Sequence, residues 1–256
     1  MADFDLLLLN DIREAGMTHP AILDVGVSSG TTTLDMHDLL ARSGVAHEIV
    51  ATDLWVNARL VTPVNGVDVL LDSGDHPLQF AVGPIVIRPW TRRLDYLTGR
   101  WLLTKLARAL LAKSNIDHSS GRPVQLASRR LEGAASVRLI EDDVTRANPD
   151  FMRRFQVIRA ANILNRGYFS EEQLRAIAAN LLSYADASGA LLAVVRTVLD
   201  GGNHGTIFGI DTRGTVRALS RIGNGSEVED IVLSVGRTPD QAEAVASTSP
   251  ARAASY

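Results

Sequence analysis

The chain has 256 residues, 46% of them hydrophobic and 21% charged, the balance of a globular protein with a sizeable core and not of a disordered chain. It contains no cysteine, which excludes disulfides, thiolate metal sites and a cysteine nucleophile, and suits a cytoplasmic enzyme. The formal net charge of −3 conceals an asymmetry: residues 57–136 hold 11 Lys+Arg against 6 Asp+Glu, a local balance of +5 that leaves −8 for the rest.

Leu6 to Leu9 is too short for a signal sequence and follows Asp3 and Asp5 instead of basic residues, and no apolar run approaches the ~20 residues of a spanning helix. Leu6, Leu7, Leu9 and Ile12 predict a lead-in helix that ends near Gly16, packed against or over the functional site. His19-Pro20 then delivers the chain extended into a first strand over 21–25, because a residue before proline avoids the helical region. Gly26-Val27-Ser28-Ser29-Gly30 turns sharply into a helix opened by Thr31, with Leu34, Met36, Leu39 and Leu40 on its apolar face. Glycines at 26 and 30 permit positive φ and close approach of a ligand.

A second strand over 47–52 ends at Asp53, 23 residues past Gly30. A carboxylate there can accept hydrogen bonds from both hydroxyls of a ribose. Leu54 and Trp55 are placed to pack on a base. From Val56 to about Ala135 the pattern departs from alternating strands and helices, so 57–135 is assigned as a basic inserted subdomain. Its first half reads as a β-meander, with Asn65-Gly66 as a hairpin turn, Asp72-Ser73-Gly74-Asp75 as a second turn, and Pro84 and Pro89 marking edges. Its second half predicts a basic amphipathic helix over 100–113. Leu102, Leu103, Leu106, Ala109 and Leu110 form the stripe, with Arg100, Lys105 and Arg108 around it. Such a helix packs its leucines on the parent domain or lies on an anionic membrane. Residues 114–133 are predicted to be a mobile loop able to act as a lid.

The main domain resumes with a third strand over 137–141, followed by Asp142-Asp143-Val144. A fourth strand over 155–160 leads into Ala161-Asn162-Ile163-Leu164-Asn165-Arg166-Gly167-Tyr168-Phe169. Ser170 and Gln173 form a capping box for the next helix, whose buried face is Leu174, Ile177, Ala178, Leu181 and Leu182. A fifth strand over 190–195, a hairpin of 206–210 and 216–222, and a short helix through Val235 complete residues 1–56 and 136–237 as the main domain; 238–256 reads as a disordered tail. The predicted class is α/β, a Rossmann-like doubly wound seven-stranded sheet with an antiparallel closing hairpin and a β-meander plus helix insertion after its second strand.

Glycines after a first strand suit a dinucleotide as well as other adenosyl ligands. Asp24 argues for a cationic one, because a carboxylate at the strand tip repels a diphosphate and attracts the amino group and sulfonium of S-adenosylmethionine. The second glycine of the dinucleotide fingerprint is also missing. These residues resemble the class I S-adenosylmethionine-dependent methyltransferases, and within them the chemotaxis receptor methyltransferase type, over two blocks, 21–55 and 137–196.

The resemblance places the family's acidic residue and its first and last glycines on Asp24, Gly26 and Gly30, with Ser28 replacing the middle glycine and offering a hydroxyl. It gives Asp143 with Val144, or alternatively Asp142, the contact to the adenine amine and ring. Arg159, Asn162, Leu164, Tyr168 and Phe169 resemble the end of the family's fourth strand. Asn162 and Asn165 lie where that strand end meets the transferable methyl, and Tyr168, His118 or His204 could assist as a base. The expectation is in-line methyl transfer to a small-molecule or lipid- or saccharide-linked acceptor, with possible peripheral membrane contact through 100–113 and no nucleic acid. A methyltransferase-fold binding protein without turnover and a nicotinamide-dependent oxidoreductase are the alternatives.

Overall fold

A computed structural model describes residues 1–87, 105, 106, 109, 121–198 and 201–236. They fall into two compact units, Met1–Leu54 with Ser128–Tyr256, and Trp55–Ala127. The first holds strands β1 (Ala21–Val25), β2 (Glu48–Asp53), β8 (Val137–Glu141), β9 (Val157–Ala161), β10 (Ala190–Thr197), β11 (Asn203–Ile210) and β12 (Val216–Ile222). These make one sheet in the order β12-β11-β10-β9-β1-β2-β8. β8, β2, β1, β9 and β10 are parallel, and β11 and β12 close the sheet as antiparallel strands. The winding direction reverses between β1 and β9, the place where an open α/β sheet forms a crevice at its carboxyl ends.

The sheet is covered on both faces, so every residue of the central strand β9 is buried, Arg159 among four apolar residues. Over one face lie α1 (Ala2–Glu14) and α2 (Thr31–Arg42), which bury Phe4, Leu8, Leu9 and Ile12 with Met36 and Leu40. Over the other lie α4 (Glu171–Ser183) and α5 (Glu229–Val235), which bury Leu174, Ile177, Ala178 and Leu181 with Ile231 and Val232. Residues three and four apart in α1 and α4 therefore form the two core layers. Ser170 caps α4 as its sequence requires: its Oγ accepts from the Gln173 amide at 3.3 Å, and the Gln173 side chain accepts from the Ser170 amide at 2.9 Å.

The second unit is a five-stranded antiparallel sheet of β3 (Asn57–Val64), β4 (Val67–Leu71), β5 (Pro77–Val82), β6 (Ile85–Ile87) and β7 (Arg122–Gln125), in the order β6-β5-β4-β3-β7. Val61, Val67, Val69, Leu71, Phe80 and Ile87 are its core. Gly66, at φ +85, makes the β3–β4 turn, and the Asp72 carboxylate closes the next one by accepting from the Gly74 and His76 amides.

The lid expected over 114–133 is corrected in its second half. Residues 122–125 are the strand β7, paired with β3, and Arg129–Glu132 form a one-turn helix, α3, in the first unit. A four-residue strand containing Pro123 carries too little alternation to be recognised, and an edge position tolerates the proline. Residues 114–120 and the tail from 237 lie outside the described residues, as does the 100–113 helix except at three positions. Of these, Lys105, Leu106 and Ala109 are helical, and Leu106, expected on a packed stripe, is 56% exposed. Among the described residues no helix is long and apolar enough to cross a membrane.

Candidate functional site

The glycine turn between β1 and α2 stands at the carboxyl edge, against the end of β2. The Gly26 and Val27 amides both donate to the Thr52 carbonyl, at 2.8 and 3.1 Å. Gly26 (φ +72) and Gly30 (φ +75) adopt left-handed backbone, and each is also pressed from outside. A Cβ on Gly26 would lie 2.9 Å from Ile163 Cβ, and one on Gly30 would lie 1.9 Å from Leu131 Cδ1. The glycines thus serve packing on the β9 loop and on α3 as well as chain reversal. Ser28 sits between them at φ +51, an unfavourable conformation for a side-chain-bearing residue. Its amide donates to Asp53 Oδ2 at 2.7 Å, which fixes that conformation. Beyond Gly30, α2 opens without a capping side chain and without an acidic residue in its first turn, leaving its positive end uncompensated.

Asp53 is half-buried at the end of β2, where it was expected. Leu54 beside it is 46% exposed. Across from it, the Asp142 amide donates to the Asp53 carbonyl at 2.9 Å. Asp142 Oδ1 accepts from Asn148 Nδ2 at 2.7 Å. Burial pushes its carboxyl above the usual range, against the Asn148 hydrogen bond and with added repulsion from Asp143. Asp143 is committed to its own turn: Oδ1 accepts from the Thr145 amide and hydroxyl at 3.0 and 2.6 Å, and Oδ2 faces Arg146 at 3.5 Å. Val144 packs on the core beneath α4.

Past β9, Asn162 takes φ +62, and its Oδ1 accepts from the Thr197 amide at 2.7 Å, tying the ends of β9 and β10 together. Its amide nitrogen remains the group it can offer to a ligand. Asn165, proposed to hold an acceptor, is corrected. It is 3% exposed, and its Oδ1 accepts from the Gly167 amide at 3.0 Å, so its side chain closes a turn. Tyr168 is 69% exposed on the same loop. His204 lies on β11 opposite Arg196 of β10, with its ring against Gly223. Arg196 in turn donates to Glu227 at 2.6 Å. His118 lies outside the described residues.

The role assigned to Asp24 is overturned. Its side chain is buried toward the α1–α2 layer, where both oxygens accept from Arg159 Nη1, at 3.1 and 3.0 Å, and Oδ2 also accepts from Thr33 Oγ1 at 2.7 Å. Arg159, in register with Asp24 on β9, is 0% exposed. Its Nη2 lies 3.1 Å from Asp5 Oδ1 of α1, out of hydrogen-bonding alignment. Burial opposes the guanidinium's charge, yet Asp24 and then Asp5 outweigh it and hold its pKa above the ordinary value. Burial pushes Asp5 up to about 6, opposed by Arg159 and reinforced by Asp24. A carboxylate neutralised in this way cannot select a ligand by charge. The triad had one sequence signal: an arginine inside the apolar run Ile158-Arg159-Ala160 demands a buried acid on a neighbouring element.

No family model matches the chain, and no curated protein matches it. Among solved structures it is similar to the 1,6-didemethyltoxoflavin-N1-methyltransferase of Burkholderia thailandensis at 12% identity and a TM-score of 0.39, over 91% of this chain and 65% of that one. It is similar to the CurJ carbon methyltransferase at 10% identity and a TM-score of 0.39, over 77% and 35%. It is also similar to a Rhodobacter sphaeroides protein described as a Zn-dependent alcohol dehydrogenase, at 12% identity and a TM-score of 0.34, over 77% and 47%. The chain spans less than two thirds of the length of each.

Proposed function

We propose that this chain is an S-adenosylmethionine-dependent methyltransferase acting on a small-molecule or lipid- or saccharide-linked acceptor. The observation that carries the proposal is the join between the glycine turn and Asp53: the Ser28 amide fixes to the carboxylate at the end of β2. This brings an acid suited to ribose hydroxyls and an uncapped helix start to the carboxyl edge of one sheet, beside its switch point. The donor set fits the cofactor. Asp53 would take the ribose hydroxyls, Asp142 the adenine amine, and the open start of α2 with Thr31 the methionine carboxylate.

Bound there, the cofactor supplies an activated methyl group, and the chain's own residues do the rest. Asn162, locked through Oδ1, presents its amide nitrogen to the acceptor. The turn held by Asn165 keeps the β9 loop in place, and Ile163 and Leu131 brace the glycines. Alignment of the acceptor is the main task, and a base is optional.

With Asp24 neutralised, repulsion of a diphosphate no longer separates this proposal from a nicotinamide-dependent enzyme. Ser28 does, because its side chain occupies the loop position where close approach of a pyrophosphate calls for glycine. The deciding experiment is a thermal shift comparison: adenosylhomocysteine raises the melting temperature and NAD does not, and Asp53→Ala abolishes the rise. A rise with NAD alone reverses the assignment, and no rise with either ligand removes it. Exposed Lys105 and Leu106 on one helix of the basic insertion favour an acceptor presented at an anionic lipid surface. Co-sedimentation with anionic but not neutral vesicles is the expected result, and protein left in the supernatant rejects that acceptor class.

A further inference from the structure

We infer that Arg159 is a positioning residue for the glycine loop, carrying the seating of α1 to that loop through Asp24; the loop's role in binding rests on the proposed function. The geometry has three links. Asp24 lies two residues before Gly26 and Thr33 three residues after Gly30, so the 2.7 Å bond between their side chains closes the loop into a ring at its base. Arg159 Nη1 holds both Asp24 oxygens at 3.0–3.1 Å from the opposite side, which leaves Oδ2 in place to receive the Thr33 hydroxyl. The other arm of the same guanidinium lies 3.1 Å from Asp5, and Asp5 belongs to the helix turn that buries Phe4 and Leu8 on the sheet. A shift of α1 therefore moves the guanidinium, and the guanidinium sets the rotamer of the carboxylate that closes the loop.

A purely structural ion triad would need no bond to Thr33 and would not lie at the strand tip that feeds the glycines. The Asp5–Arg159 ion pair is close but out of hydrogen-bonding alignment. Both Asp5 oxygens and Arg159 Nε and Nη2 lack a hydrogen-bond partner, while every Asp24 contact is made. Alignment is thus complete on the loop side and incomplete on the helix side.

The test compares amide hydrogen exchange at residues 26–33 in the parent, Arg159→Lys, Thr33→Val and Leu174→Ala. Arg159→Lys keeps the charge and loses the two-pronged grip, Thr33→Val breaks only the ring closure, and Leu174→Ala loosens the opposite core layer. The first two are expected to speed exchange in the loop and to weaken adenosylhomocysteine binding about tenfold, within the range seen for coupling residues. Leu174→Ala is expected to lower the melting temperature and leave both readouts unchanged. Loop exchange that rises no more in Arg159→Lys and Thr33→Val than in Leu174→Ala overturns the inference. If Arg159→Lys does not fold, Asp5→Asn, which alters the helix-side partner of the guanidinium, takes its place in the same comparison, and loop exchange no faster than in Leu174→Ala overturns the inference. A parent that binds no adenosylhomocysteine removes the methyl-donor proposal, while the exchange comparison still decides this one.

Discussion

The buried triad makes stability depend on pH in an uncommon direction. Most acids in folded proteins have lowered pKa values and stabilise the fold as pH rises, but Asp5 is raised from 3.8 to about 6 by burial. Between those values the folded chain holds a proton that the unfolded chain has lost, so the folded state binds more protons and stability falls as pH rises. The cost is absent below about pH 4 and complete above about pH 6. A rise of about two units corresponds to about 3 kcal/mol. Asp5→Asn removes this titration and leaves Arg159 paired with Asp24, whose two contacts at 3.0–3.1 Å do not involve position 5. The variant is therefore expected to be more stable than the parent at pH 7.5, by up to about 3 kcal/mol, and to lose the decline between pH 4 and 6.5. Urea denaturation followed by far-ultraviolet circular dichroism, which reports the helices of the first unit, measures both quantities across that range. A parent and variant with the same slope, or a variant less stable at pH 7.5, would show that Asp5 is stabilised as an anion and would refute the argument.

Arg159→Met leaves two carboxylates buried and facing each other without a cation, and should lose about 3–5 kcal/mol; combining it with Asp5→Asn should recover part of that loss in the same denaturation assay. Ser170→Ala removes one half of a complete capping box and should lower stability by about 1 kcal/mol while leaving adenosylhomocysteine binding intact, which separates it from site variants. Gly30→Ala places a Cβ where Leu131 Cδ1 now sits, at a φ of +75. It should lower the melting temperature, and Leu131→Ala added to it should restore only the packing share of the loss. Asn162→Ala is expected to reduce methyl transfer more than tenfold through loss of acceptor placement, with little change in cofactor binding; a proportional loss of both would assign Asn162 to the cofactor instead.

What could be read before the fold was known follows from what each residue depends on. Strands β1, β2 and β9, the capping box at Ser170 and the hairpin at Asn65-Gly66 depend on local patterns, and those patterns are present in the sequence. The place of Asp53 at the end of β2 is legible because its spacing from the glycines reflects one strand–helix–strand unit. Asn165 and Asp24 were misassigned for a shared reason. Asp24 stands near the end of β1 and Asn165 on the loop after β9, and whether such a side chain turns outward or inward depends on packing that no local pattern records. For Asp24 the partner is 135 residues away. Strand β7 was missed because four residues with a proline carry no period, and only pairing with β3 gives them their structure.

Once Asp24 is paired with Arg159, the acids that the proposed site uses at the carboxyl edge are Asp53 and Asp142, at the ends of β2 and β8. Those ends lie on the far side of β1 from Asn162, so on the proposed function a cofactor would be anchored by its sugar and base, with its reactive end toward β9. In that arrangement Asp53 and Asp142 would hold the neutral adenosyl group by hydrogen bonds, and little carboxylate charge would act on the sulfonium. Such a division favours transfer: a carboxylate pairing with the cation would stabilise the ground state, in which the positive charge is greatest, more than a transition state in which that charge is being dispersed. If the proposed function holds, the burial of Asp24 removes an interaction that would have bound the methyl donor at the expense of its reactivity.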